Sequence, residues 1–258
     1  MANLVGKVNI IDLLVDPLTS GSEPFLKDRK EYSKYISRLS NNFINLEAKV
    51  VESGMVSVEN FTDEAVNSIP ILRAIKSFDQ SKYDAIILDC MGDPGLDAAR
   101  EITDIPVLGP LESSAHVASI VGDMFGIVSI ADSMNSSYIF ALKKYGLNDK
   151  LIGIKSLNIP VLDIDKDRRK TYKRTLEALS GLSEMGANSV IIGCTGLVSF
   201  IEDLKKETKL QIIDPLAAAV GLAIQIKSTG SSISRRVWMK PSEKEFIGKN
   251  GGISGTHA

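Results

Sequence analysis

The stretch YDAIILDCMGDPGLDAAR, Tyr83 to Arg100, decides the fold. Its run Ala85–Leu88 is apolar without alternation, which is how a parallel strand buried on both faces reads. Asp93-Pro94-Gly95 breaks the run, and a segment of helical period follows. A second stretch, ANSVIIGCTGLVSFIEDL from Ala187 to Leu204, repeats the order of apolar run, cysteine, glycine-containing turn and helical period. Cys90 and Cys194, the two cysteines of the chain, hold equivalent places in the two stretches.

Short apolar or β-branched runs alternate with helical segments along the whole chain, the pattern of a parallel sheet covered by helices on both faces. Strands are expected at Val8–Val15, Ala48–Glu52, Ala85–Asp89, Val107–Leu108, Gly126–Ile130, Ile152–Lys155, Ser189–Gly193 and Gln211–Ile213. Helices are expected at Pro24–Asn45, Asp63–Phe78, Pro94–Thr103, Ser113–Asp123, Asn135–Tyr145, Asp167–Met185, Leu197–Glu207 and Pro215–Lys227. Thr62, Asp93 and Asp214 read as N-caps, the last two each ahead of a proline. Gly146 and Gly186 read as left-handed residues closing helices.

The repeat extends beyond the cysteines. IPVLGPL (Ile105–Leu111) and LQIIDPL (Leu210–Leu216) follow them, with 20 residues from Cys90 to Pro110 and 21 from Cys194 to Pro215. Each half also opens on a strand that runs into an Asp- and Ser-containing turn, VDPLTS at Val15–Ser20 and IADSMNS at Ile130–Ser136. Two α/β units related by a pseudo-two-fold axis are therefore expected. Residues 1–112 and 214–258 form a discontinuous lobe carrying Cys90, and residues 113–213 a lobe carrying Cys194. In the tail, Arg235–Lys244 reads as an edge segment packed through Val237 and Trp238, and Lys249–Ala258 as disordered.

Composition excludes several function classes. Lys plus Arg (30) nearly balance Asp plus Glu (32), and no basic stripe is interleaved with aromatics, so nucleic acid is not an expected partner. Apolar runs such as Leu216 to Ile226 fall far short of the ~20 residues that span a bilayer, and no export signal is visible. A cytoplasmic setting with reduced thiols is expected. With two histidines in the chain no metal cluster is expected, and His116 reads as an ordinary helix residue.

The residue after a strand in an open α/β sheet points into the crevice where ligands bind. A helix N-terminus behind each cysteine offers free N–H groups and a positive dipole end, so a lowered thiol pKa is expected. Two such units facing each other set one sulfur on each side of a bound carbon. That geometry suits inversion of a carbon acid, in which a base removes a proton from one face and an acid returns one to the other. The backbone N–H groups of Met91-Gly92 and Thr195-Gly196 are candidates for holding the enolate oxygen.

The segment Cys90-Met91-Gly92-Asp93-Pro94-Gly95-Leu96-Asp97-Ala98-Ala99-Arg100, followed by Ile105-Pro106-Val107-Leu108-Gly109, resembles the hydantoin and allantoin racemase branch of the aspartate/glutamate racemase superfamily. Gly193-Cys194-Thr195-Gly196-Leu197 is similar to the second catalytic loop of that family. The resemblance runs from the first strand to about Lys227. It implies two pseudo-symmetric flavodoxin-like lobes, each a parallel sheet flanked by helices, with the active site in the cleft between them. It further implies a racemase that needs no cofactor or metal, with Cys90 and Cys194 as the proton-transfer groups. Three places depart from the branch: Asp16-Pro17-Leu18-Thr19-Ser20 stands where Asn-Pro-Asn-Thr-Ser is typical, Met91-Gly92 where Phe-Asp is common, and Thr195 and Leu197 where Ala and Met are common.

The substrate-binding candidates are Ser20, Met91, Gly92, Asp93, Ser129, Thr195 and Gly196. The Ser20, Ser129 and Thr195 hydroxyls read equally as partners of turn backbone. The expected partners are a small-molecule substrate and further copies of the chain. Rival readings are an aspartate- or glutamate-type racemase, a decarboxylase or dicarboxylate isomerase on the same fold, and a two-lobed binding protein without chemistry. For the cysteines themselves the alternative is structural or redox use.

Overall fold

The computed structural model describes residues 6–19 and 23–244. Eight strands alternate with eight α-helices: β1 (Val8–Leu14), α1 (Glu23–Leu39), β2 (Ile44–Val50), α2 (Phe61–Ser77), β3 (Ala85–Asp89), α3 (Leu96–Ile102), β4 (Val107–Leu108) and α4 (Pro110–Gly122) make the first run. β5 (Phe125–Ser129), α5 (Asn135–Tyr145), β6 (Leu151–Ser156), α6 (Arg168–Glu184), β7 (Ser189–Gly193), α7 (Ile201–Glu207), β8 (Gln211–Ile213) and α8 (Pro215–Ser228) make the second. They form two four-stranded sheets, ordered β2-β1-β3-β4 and β6-β5-β7-β8, with every pairing parallel. The shared order is the internal repeat made physical: β3 and β7 are equivalent, and so are the cysteines that follow them.

The period of two along a strand sorts the core into two faces. Val8 and Ile10 of β1 and Ala85 and Ile87 of β3 join the large cluster that also holds the second sheet, while Ile11, Leu13, Ile86 and Leu88 pack beneath α2 and α3. By the same parity Asp12 and Asp89 share the face of Ile10 and Ile87, towards α1. On α1, Phe25, Arg29, Tyr32 and Ile36 recur at helical spacing and turn inward, so an arginine sits in an otherwise apolar stripe. After leaving the first sheet α4 packs on β7 and β8, and after leaving the second α8 packs on β1 and β3; the two helices also pack on each other.

Several boundaries differ from the sequence reading, each for a local reason. The first helix ends at Leu39 rather than Asn45, because Asn41 (φ 51°) and Asn42 (φ 60°) adopt left-handed backbone that breaks the helix, and β2 begins at Ile44. That strand, expected at Ala48–Glu52, lies at a sheet edge, and its half-exposed Asn45, Glu47 and Lys49 hid its first residues. Asn60, not Thr62, caps α2, its side chain accepting from the Asp63 amide at 3.0 Å. α4 begins at Pro110, three residues ahead of the expected Ser113. α3 begins at Leu96 because Asp93 (φ 48°) and Gly95 (φ 70°) are left-handed, and Asp93 instead caps α4, accepting from the amides of Leu111 (3.1 Å) and Glu112 (2.9 Å). Asp214 caps α8 as expected, and Gly146 (φ 73°) and Gly186 (φ 94°) are left-handed as expected.

Arg235–Lys244 packs as irregular chain on the end of α3, through Arg235 and Trp238 rather than Val237. Arg235 reaches the carbonyls of Arg100 (3.2 Å) and Glu101 (3.1 Å) at the end of α3, and the Trp238 ring lies 5.4 Å from the Arg100 guanidinium, whereas Val237 is exposed. The expected disorder of Lys249–Ala258 lies outside the described residues.

Candidate active site

The carboxyl ends of β1, β3, β5 and β7 converge on one cavity of about 670 Å³, open solvent at its mouth included. Cys90 enters its wall from the first sheet and Cys194 from the second; both are free thiols. Met91, Gly92, Thr195 and Gly196 line the same cavity. Asp93 and Ser129 are not in its wall: Asp93 is engaged with α4 and with the Tyr145 hydroxyl (2.8 Å), and the buried Ser129 hydroxyl donates to the Ala131 carbonyl (2.8 Å). Ser20 lies outside the described residues.

Neither cysteine opens an α-helix. Cys90 is followed by a turn, with α3 starting at Leu96, and Cys194 by a 3-10 segment, Thr195–Phe200, with α7 starting at Ile201. The lowered thiol pKa expected from helix dipoles is therefore absent. Burial, then the Asp16 charge, push the Cys90 thiol well above its ordinary range, and burial pushes Cys194 up to about 12. Of the backbone N–H groups expected to meet an enolate oxygen, those of Gly92 and Gly196 interact with the sulfurs instead. The Gly92 amide donates to Cys90 Sγ at 3.5 Å, and the Gly196 amide favours the Cys194 thiolate electrostatically. A Cys-x-Gly tripeptide thus cradles each thiol, a signal present in both loops of the sequence.

In the cavity wall and beneath it lies a charge cluster that sequence reasoning missed. Arg29 of α1, 3% exposed, donates through Nε to Asp89, the residue ahead of Cys90, and through Nη2 to the Thr195 carbonyl (2.6 Å), the residue after Cys194. One guanidinium therefore ties both cysteine loops. Asp12 lies at 0% exposure with neither carboxyl oxygen partnered by a hydrogen bond; burial and the Asp89 charge push it well above the usual carboxylate range, against the pull of Arg29. The discoverable signals were an arginine on the buried stripe of α1 and aspartates inside two apolar strands. Nothing local joined them, because 60 residues separate Arg29 from Asp89 and 166 separate it from Thr195.

The remaining wall is built from both halves. Asp16, at the turn after β1, accepts from Asn67 Nδ2 (3.0 Å); burial first, then the Asp89 charge, push its carboxyl up to about 7. Tyr138 of α5, 1% exposed, donates to the Gly193 carbonyl (2.6 Å) directly ahead of Cys194. Glu64 of α2 accepts from Ser137 of α5 (2.6 Å) and fills the space that a side chain at Gly92 would need.

Two parallel sheets of one order, each ending in a thiol at a shared cavity, are the framework of a two-lobed racemase, an isomerase. Allantoin racemase from Klebsiella pneumoniae superposes on the chain with a TM-score of 0.83 at 24% identity, over 97% of this chain and 100% of that one. Residues 40–223 match the sequence profile described as Asp/Glu/Hydantoin racemase, and the chain belongs to that family. It is 30% identical over 197 residues to the hydantoin racemase of Pseudomonas sp. strain NS671, covering 76% of this chain and 79% of that protein. It is 31% identical over 197 residues to the hydantoin racemase of Paenarthrobacter aurescens, covering 75% and 84% respectively.

Proposed function

We propose that the chain racemises 5-substituted hydantoins or a closely related carbon acid, with Cys90 and Cys194 as the two proton-transfer groups. The observation that carries this reading is the entry of one thiol from each sheet into a single cavity. One sulfur, as thiolate, takes the proton from the ring carbon, and the C–H electron pair moves into the adjacent carbonyl. The other sulfur, as thiol, delivers a proton to the opposite face, and the roles exchange for the other enantiomer. Buried thiols suit this work: a raised pKa leaves less thiolate at neutral pH but makes that thiolate a stronger base, closer to what a carbon acid requires.

The cavity lining favours a neutral ring over an acidic amino acid. Its charged residues are Asp16, Asp89 and Arg29, and Arg29 is already paired with Asp89, so among the described lining residues no unpaired cation awaits a carboxylate. Leu14, Phe25, Val58, Ile130 and Met134 supply an apolar wall for the ring substituent. No metal-binding group of side chains occurs among the described residues. None of the described helices is long and apolar enough to cross a membrane. The proposed compartment is the cytoplasm, where both thiols stay reduced.

The test is deuterium uptake at the chiral carbon in D₂O, with optical rotation, across hydantoins, allantoin and free amino acids. Hydantoins are expected to exchange and racemise, and Cys90→Ser and Cys194→Ser each to abolish racemisation while one-sided exchange survives. Near-normal racemisation by both variants, or no exchange into any member of the panel, would overturn the reading.

A further inference from the structure

The two halves of the site are pseudo-symmetric in backbone but not in charge. On the Cys194 side, Arg29 bonds the Thr195 carbonyl at 2.6 Å. On the Cys90 side stand two carboxyl groups, Asp16 in the cavity wall and Glu64 packed against Gly92. Asp89 pairs with Arg29 through Nε while Nη1 has no hydrogen-bond partner, and the guanidinium interacts electrostatically with Asp89, Asp12 and Cys194.

We propose that Arg29 is a positioning residue that makes Cys194 the readier of the two buried thiols to give up its proton, so that the enzyme molecules carrying one thiolate carry it at Cys194 and first remove the proton on the face that Cys194 meets. The inference rests on the two-thiol reading above and adds a direction to it. In the first turnover the Cys194 sulfur gains the substrate proton as the C–H bond breaks into the enolate. Cys90 then loses its proton to the opposite face, and the enzyme ends with Cys194 as thiol and Cys90 as thiolate. Proton exchange with water restores the starting state.

The charged and titratable groups around the pair come from every packed element. They are Asp12 of β1, Asp16 after it, Asp89 of β3, Glu64 of α2, Arg29 of α1, Tyr138 of α5 and Asp214 at the head of α8. Of these, Arg29 alone favours a thiolate, and it acts on Cys194; Asp16 opposes a thiolate at both sulfurs, Asp89 also at Cys194 and Glu64 also at Cys90, so the guanidinium is what separates the two. Solvent access points the other way, because Cys194 is 9% exposed and Cys90 only partly buried. Access and charge therefore predict opposite orders of reactivity.

The experiment is iodoacetamide alkylation of the full chain without substrate, followed across pH by peptide mass spectrometry at each cysteine. In the wild type the Cys194 rate is expected to rise at lower pH than the Cys90 rate. Arg29→Gln is expected to slow Cys194 by roughly tenfold at fixed pH, the equivalent of one pH unit, with Cys90 changed less than about twofold. Arg29→Lys, which keeps the charge but not the fork to Asp89 and Thr195, is expected to recover part of the Cys194 rate. A lower midpoint at Cys90 in the wild type, or equal slowing of both cysteines in Arg29→Gln, overturns the proposal. Should Arg29→Gln lose its circular-dichroism signature of folding, the midpoint order in the wild type decides. No substrate is present, so the result stands apart from whether hydantoins are turned over.

Discussion

Replacing Asp16 by asparagine removes a charge while keeping shape and one hydrogen bond, because the amide oxygen still accepts from Asn67 as Oδ1 does now at 3.0 Å. The carboxyl is raised from 3.8 to about 7 in the folded protein. Between those values the folded state holds a proton that the unfolded chain has released, so wild-type stability falls as pH rises through the window and levels off above it. Two pH units lie between about pH 5 and the folded midpoint, which sets a ceiling of ~2.7 kcal/mol. Asp16 keeps some contact with solvent, and halving the ceiling for screening leaves ~1.3 kcal/mol. Urea unfolding of wild type and Asp16→Asn at about pH 5 and about pH 8.5 measures it. The variant is expected to gain on the wild type by ~1.3 kcal/mol between the two conditions. A stability difference independent of pH, or one that moves against the variant at the higher pH, refutes the reasoning.

Tyr138→Phe withdraws the donor from the buried Gly193 carbonyl and is expected to cost about 1–2 kcal/mol in urea unfolding, with a fall in turnover because Gly193 carries Cys194; an unchanged unfolding midpoint speaks against it. Asp93→Ala strips two amide caps from α4 and the Tyr145 partner, with an expected cost of about 1–3 kcal/mol, and a loss below about 0.5 kcal/mol contradicts the capping role. Two glycines beside Cys194 should behave differently. An alanine Cβ at Gly193 would lie 2.6 Å from the Val128 carbonyl oxygen, which is backbone, so Gly193→Ala is expected to lose well over about 2 kcal/mol or fail to fold. At Gly196 it would meet the side-chain tips of Ile164 at 2.9 Å and Phe25 at 3.3 Å, which can give way, so Gly196→Ala is expected to fold but to lose turnover by shifting Phe25 in the cavity wall. The reverse ranking in solubility and activity assays would count against both placements.

The sequence carried the architecture a long way. β3, β4, β7 and β8 are found at the expected residues, because short, largely apolar runs between turn residues leave few alternatives. β2 was expected four residues late because an edge strand needs only one apolar face, and the start of α3 was set two residues early because left-handed backbone at Asp93 cannot be read from an Asp-Pro-Gly string that fits a helix start equally well. Within the site, both cysteines and their Cys-x-Gly loops were visible; Arg29, Asp12, Asp89 and Tyr138 were not.

What the sequence by itself determined was local and periodic: strand–cysteine–turn–helix, written twice, which fixes a parallel sheet in each half and a thiol at the end of an equivalent strand. Hydrophobic period and turn chemistry act over a few residues, so one chain suffices to read them. The basicity of those thiols and the identity of their neighbours were decided only by the tertiary structure. Desolvation and charge depend on what folding brings together, and a guanidinium on α1 meets the two cysteine loops across 60 and 166 residues of chain.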